Sequence, residues 1–148
     1  MPFQFSLRAL LRLRQTYEKR ERMRLTVLNV AYGRLLQEYR ESAEQRMLVF
    51  EQLEQQLQGG ISGSELQIPS ASLQQSNDTR RKLIGQIKDL ELQVRKQTET
   101  YLESQRKRKI LDSLRERELR AFELDANRRE QQRIDDLFVR RRHSHTHG

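Results

Sequence analysis

The sequence has no cysteine, no tryptophan, two prolines and six glycines among its 148 residues. Without cysteine the chain cannot form a disulfide, a thiolate nucleophile or a cysteine-ligated metal site, and we expect a cytoplasmic protein. Apolar residues make up only 34% of the chain, and charged residues make up another 34%. This is too little apolar material for an ordinary compact core. It favours long helices that bury a narrow apolar stripe.

Signals for catalysis and for a membrane span are missing as well. No apolar run approaches the roughly 20 residues that a membrane-spanning helix needs. The motifs GxxxxGK[ST], GxSxG and HExxH do not occur. His143, His145 and His147 alternate with Ser and Thr at the C-terminus, where a solvated tail with adventitious metal binding at most is expected. We therefore predict no enzyme activity, no cofactor, no functional metal and no small-molecule substrate.

Positive charge is concentrated at the two ends of the chain. The formal net charge is +8, and residues 1–50 hold 10 basic and 5 acidic residues, residues 51–100 hold 6 and 7, and residues 101–148 hold 13 and 9. The basic clusters are interleaved with acids and lack neighbouring aromatic residues on which bases could stack. A solvated helix face or a docking surface for an acidic protein is therefore favoured, and no nucleic acid is expected as a partner.

Two stretches carry apolar residues at alternating steps of three and four, which indicates heptad seams on two helices. The first stretch runs from Leu7 to Leu57 and the second from Leu73 to Phe122. Between them, QGGISGSELQIPSAS combines glycines and a proline and predicts the turn. Ser72 and Ser76 are alternative starts of the second helix. The predicted segments are a first coiled-coil helix at 1–58, a loop at 59–72, a second helix at 73–139 and a disordered basic tail at 140–148.

The loop is long enough for the second helix to fold back on the first. The predicted fold is therefore all-α, an elongated antiparallel coiled-coil hairpin, although a heptad seam pairs equally well between two chains. Folding about residue 65 makes partner numbers add to roughly 130, within about one heptad. This register pairs Leu35 with Val94, Leu28 with Tyr101 or Leu102, Leu7 and Leu11 with Leu119 and Phe122, and Glu18 and Glu21 with Arg108 and Lys109. It also brings the two basic ends together.

The N-terminal FQFSLRALLRL has more apolar residues than one seam requires. A frayed helix start that covers the end of the hairpin is one interpretation, and a contact surface for a partner protein is the other. The first 17 residues contain three arginines and no acid, as organellar transit peptides do. The helical pattern continues past Tyr17 without a break, which favours a structural role for the segment.

The opening FQFSLRALLRLRQTYEKRERMRL resembles the start of the flagellar FliJ family. The resemblance includes the phenylalanine pair, the leucine run, the glycine-containing break GGISGSEL and the basic C-terminal RREQQRIDDLFVRR. It implies a small component of the flagellar type III export apparatus, similar to the coiled-coil stalk of rotary ATPases. The implied partners are the hexameric flagellar export ATPase, the membrane protein of the export gate and the export chaperones. The implied location is the cytoplasm, peripherally at the inner membrane of the flagellar base.

This resemblance, together with the placement of charge, predicts the surface that enters the ATPase. It consists of Phe5, Arg8, Leu10, Arg12, Leu13 and Arg14 from the first helix and Arg129, Arg133, Leu137 and Arg140 from the second. Two other functions remain open from the residues alone. One is the stalk of a related virulence type III secretion system, and the other is a basic scaffolding or nucleic-acid-binding coiled coil.

Overall fold

The computed structural model describes the backbone of residues 2–60 and 70–146 and the side chains of residues 2–60 and 73–145. Two helices account for nearly all of these residues: α1 spans Arg8–Gln58 and α2 spans Ser70–Thr146. The described ranges contain no β-strand. The predicted all-α class is confirmed.

α1 ends at a pair of glycines. Gly59 donates its backbone N–H to the carbonyl of Gln55 at 3.0 Å, and Gly60 donates to Leu57 at 3.4 Å. Gly60 has a φ of 83°, a left-handed conformation that glycine adopts without the steric cost that a side chain brings. The helix therefore ends at Gln58. The rest of the predicted turn, residues 61–69, lies outside the described residues.

α2 is longer than its sequence pattern predicts. It begins at Ser70, ahead of both candidate starts at Ser72 and Ser76, and continues to Thr146. Residues 140–146 are helical, whereas the sequence predicts a disordered tail from residue 140. Arginine is a good helix former, and basic side chains in the last turn, here His143 and His145, interact favourably with the helix dipole. His147 lies outside the described residues.

The chain forms two compact units. The central unit comprises Arg20–Tyr101, and the terminal unit comprises Met1–Lys19 and Leu102–Gly148. In the central unit, Arg80 of α2 donates to the hydroxyl of Tyr39 at 3.1 Å, and Gln97 donates to the carboxylate of Glu21 at 2.6 Å. Later residues of α2 thus meet earlier residues of α1, so the two helices are antiparallel.

The terminal unit has the same antiparallel order. The rings of Phe3 and Phe122 lie 5.6 Å apart, and Ser6 donates to Glu118 at 2.9 Å. Further along, Arg108 donates to Glu18 at 2.6 Å. These contacts confirm the predicted antiparallel hairpin of two helices.

The register differs from the prediction. In the central unit the numbers of the hydrogen-bonded residues add to 118 for Glu21 with Gln97 and to 119 for Tyr39 with Arg80, not to roughly 130. The residues of α2 that lie opposite Leu28 and Leu35 therefore come earlier in the sequence than Tyr101 and Val94. Those two predicted pairs are wrong. Apolar residues recur every heptad on both helices, so the apolar pattern alone does not select one register.

In the terminal unit the predicted pairing of Glu18 with Arg108 is confirmed. The predicted pair of Leu11 with Phe122 is wrong, because Leu11 packs in a cluster with Leu111, and Phe3 is the residue that meets Phe122. Paired residue numbers add to 124 for Ser6 with Glu118 and to 125 for Phe3 with Phe122. The offset from the predicted register is thus smaller here, within one heptad.

The buried stripe is narrow and partly polar. Four apolar residues are buried among the described side chains, namely Phe5, Leu11, Leu83 and Leu111. Along α2 one series of buried and half-buried residues alternates by four and three from Leu83 to Leu111, and this series includes polar residues. Its members are Leu83, Ile87, Leu90, Val94, Gln97, Tyr101, Ser104, Arg108 and Leu111. Polar side chains therefore occupy seam positions of the coiled coil.

Candidate partner-binding surface

The N-terminal residues that precede α1 cover apolar side chains of the terminal unit. Phe5 is only 7% exposed and lies in one cluster with Leu11 and Leu111, against which Phe3 also packs. The carbonyl of Phe5 accepts the N–H of Arg8 at 3.3 Å, which makes the turn into α1. Phe5 was predicted as a partner contact, but its side chain is used in the core and is not available as a free surface.

The remaining N-terminal residues of the predicted site are accessible. Arg8 and Arg12 are exposed on α1, and together with Arg115 of α2 they line a shallow groove. Leu10 and Leu13 are exposed by 38% and 45%. Arg14 is half-buried. These residues form a basic surface with exposed leucines on the terminal unit.

The C-terminal residues of the predicted site lie elsewhere. Phe122 contacts Phe3 near the start of the chain, and α2 continues from there for 24 residues to Thr146. At 1.5 Å per residue, Arg129 lies about 10 Å and Arg140 about 27 Å beyond Phe122 along the helix. Arg129, Arg133, Leu137 and Arg140 therefore lie on the part of α2 that continues beyond the contact with Phe3, whereas Arg115 of α2 is the basic residue that lines a groove with Arg8 and Arg12.

We define the α2 extension as residues 123–145. Every residue in it is exposed. Ile134, Leu137 and Phe138 are exposed by 45%, 51% and 65% and share one helix face through their spacing of three and four. Residues 128–142 hold six arginines and three acids. The extension thus offers an apolar stripe and basic side chains on one helix. The prediction included Leu137 but missed Ile134 and Phe138, although their helical spacing to Leu137 signals them.

A buried acidic residue, Glu21, lies in the seam of the central unit. It is 5% exposed, and Gln97 donates to its carboxylate at 2.6 Å and to its backbone carbonyl at 3.0 Å. Arg24 and Arg20 reach the other carboxylate oxygen at 3.2 and 3.3 Å. The hydrogen bond from Gln97 and the two guanidinium groups lower the pKa of Glu21 below its ordinary 4.5, against the opposing effect of burial. The sequence pattern did not reveal this burial.

Glu21 should make the stability of the protein sensitive to acid. Because its pKa is lower in the folded state, its stabilisation is present above pH 4.5 and is lost as the pH falls through the folded-state value. We expect the free energy of unfolding to fall between about pH 6 and about pH 3, and Glu21→Gln to flatten that fall. Urea unfolding across this range measures it. Glu38→Gln, at an exposed position, is the matched control, and equal curves for both variants would contradict the prediction.

A second polar cluster lies in the terminal unit. Arg108 donates from Nε and one terminal nitrogen to the two carboxylate oxygens of Glu18, at 2.6 and 3.1 Å, and donates to Asp112 at 2.7 Å. The hydrogen bonds that Arg108 donates to Glu18 first, and then to Asp112, raise its pKa further above the ordinary value. Arg108 therefore remains charged, and the bidentate geometry fixes both helices at this point.

Within residues 2–60 and 70–146, no group of three His, Asp or Glu side chains is placed to hold a metal ion. In the same ranges, neither helix contains a segment long and apolar enough to cross a bilayer.

The antiparallel pair of helices defines the chain as an all-α helical hairpin protein. The Flagellar FliJ protein family matches residues 3–147, and the chain belongs to this family. No curated protein and no solved structure gives a significant match. Membership identifies the chain as a component of the flagellar export machinery, and the family is a non-catalytic one. The resemblance seen in the sequence is confirmed.

Proposed function

We propose that the protein is the central stalk of the flagellar export ATPase. In this role it inserts into the hexameric ring, promotes its assembly or activity, and couples it to the export gate and the export chaperones. It acts in the cytoplasm, peripherally associated with the inner membrane at the flagellar base. Family membership supports the export role, and the exposed α2 extension is the observation that carries the stalk assignment.

The dimensions of the extension suit insertion into a ring. A helix of 23 residues is about 34 Å long and, with its side chains, about 10–12 Å wide. Ile134, Leu137 and Phe138 supply apolar anchors, and desolvated apolar anchors dominate the affinity of most interfaces. The arginines on either side favour a channel lined by acidic or polar groups, because complementary charge speeds and orients association.

The basic surface of the terminal unit supplies a second contact in this proposal. Arg8 and Arg12 are exposed in this surface, Arg14 is half-buried, and Leu10 and Leu13 are exposed on the same turns of α1. We assign these residues to the rim of the ring and the extension to its channel. Phe5 supports this surface from the core, where it packs on Leu111.

The proposal predicts that the purified chain raises ATP hydrolysis and ring assembly by the flagellar export ATPase. In the variant R8E/R12E/R14E this stimulation is expected to be lost, because acidic side chains would then face an acidic or polar surface. Circular dichroism should remain helical, since Arg8 and Arg12 are exposed and Arg14 is only half-buried. The charge-preserving R8K/R12K/R14K variant is the control. Full stimulation by the glutamate variant would overturn the assignment of this surface, and no stimulation by the native chain would overturn the stalk role.

A further inference from the structure

The seam of the central unit buries a carboxylate at a position where a coiled coil normally places an apolar side chain. We propose that Glu21 and Gln97 form a register lock, a polar pair that holds α1 and α2 in one alignment and excludes alignments shifted by a heptad. This inference concerns the hairpin itself and does not depend on the partner of the protein.

The geometry of the pair is specific. The Gln97 amide reaches both the side chain and the backbone carbonyl of Glu21, at 2.6 and 3.0 Å. The side chain of Glu21 is only 6% exposed, so water cannot replace a lost partner. Arg20 and Arg24 belong to α1 itself and remain near the carboxylate in any register. Gln97 is therefore the partner of Glu21 that distinguishes one alignment from another.

The apolar residues of this unit do not distinguish alignments. α1 supplies Leu28, Tyr32 and Leu35, and α2 supplies an apolar series of Leu83, Ile87, Leu90 and Val94, all buried or half-buried. A shift of seven residues leaves apolar side chains facing apolar side chains over most of this length. The apolar pattern in the sequence indeed led to the pair of Leu35 with Val94, which the structure does not have.

Glu21 and Gln97 break this degeneracy. The residues one heptad from Gln97 are Leu90 and Ser104. Leucine has no hydrogen-bond donor, and serine has a single hydroxyl that cannot donate to both the carboxylate and the backbone carbonyl. A shift by one heptad in either direction thus leaves the buried carboxylate of Glu21 without a side chain that donates to both the carboxylate and the backbone carbonyl. Single polar residues at seam positions specify register in coiled coils in this way, at a cost in stability.

The absence of cysteine allows a direct test by spin labelling. Labels at R34C and E99C occupy exposed positions on α1 and α2 that are offset along the helix axis. A shift of one heptad displaces the helices by about 10 Å along that axis. Electron–electron distance measurement on the dilute full-length chain should give one separation in the native background. In E21L/Q97L we expect a second population of molecules, in which the separation between the two labels differs from the native separation by up to about 10 Å.

The chain offers a matched control with the same substitutions at exposed positions, E38L/Q93L, which should keep the native separation. The amide variant E21Q, which retains an acceptor for Gln97, should keep it too. One unchanged separation in E21L/Q97L would overturn the lock. Loss of helicity in E21L/Q97L would overturn it as well, because an apolar seam pair is expected to keep the helices together. A shift in E38L/Q93L equal to that in E21L/Q97L would show that the effect is not specific to the buried pair.

Discussion

Reversing charge in the α2 extension, in the variant R129E/R133E/R140E, is expected to abolish stimulation of the flagellar export ATPase. Each of these arginines lies on exposed helix beyond the contact between Phe3 and Phe122. Opposing like charges at an interface cost several kcal/mol, so affinity for the ring should fall by about a hundredfold or more. ATP hydrolysis and ring assembly at increasing concentrations of the variant measure the loss.

The fold should not change in this variant. The ion pair of Arg129 with Asp125 is exposed, lies within one helix and adds little to stability. The variant R129K/R133K/R140K keeps the charge and should keep most of the stimulation. If the glutamate variant stimulated the ATPase like the native chain, the extension would not be the inserted segment. The stalk role would then require the basic surface around Arg8 and Arg12 to act alone.

The apolar stripe of the extension gives an independent test of the same surface. Leu137→Ser together with Phe138→Ser removes two exposed apolar side chains and leaves every arginine in place. In the proposed complex these side chains are buried in the interface as anchors. Truncating such an anchor weakens the free energy of binding by about 2 kcal/mol or more. Val139 is exposed to a similar degree but lies about 100° further round the helix, so Val139→Ser is the matched control.

The sequence predicted much of this fold because heptad spacing and turn residues act locally. The steps of three and four indicated two helices, the glycines at 59 and 60 marked the end of α1, and the break was long enough for α2 to fold back on α1. The pairing of Glu18 with Arg108 was also correct, because oppositely charged long side chains tolerate an error of several residues in register. Family membership followed from the N-terminal run and the length of the chain.

The alignment of the helices and the burial of individual residues could not be predicted in the same way. Leu28 and Leu35 meet apolar residues in several registers, and Glu21, which was predicted to lie near Arg108 and Lys109, accepts a hydrogen bond from Gln97 in the structure. Phe5 precedes the first helical residue, so no helical period assigns its direction. Its burial depends on Leu111, which is distant in sequence. The α2 extension could not be predicted from one helix alone, because it depends on where both helices begin and end.

Leu111→Ala should be among the most destabilising single substitutions in the described chain. Leu111 is 6% exposed and packs with Phe5 and Leu11 in the buried cluster of the terminal unit. Truncating a buried leucine removes its burial free energy and leaves a cavity, which together cost about 2–5 kcal/mol. We expect about 2–3 kcal/mol here, because a narrow seam can collapse partly around the gap.

Ile110→Ala is a closely matched control for that substitution. Ile110 is the preceding residue of the same helix, it is 62% exposed, and truncating it should change the free energy of unfolding by about 0.5 kcal/mol or less. Urea unfolding followed by circular dichroism measures both variants. A larger effect of Ile110→Ala than of Leu111→Ala would contradict the register of the terminal unit. Because Phe5 packs on Leu111 and begins the turn into Arg8, the Leu111 variant should also weaken ATPase stimulation through the basic surface, whereas the Ile110 variant should not.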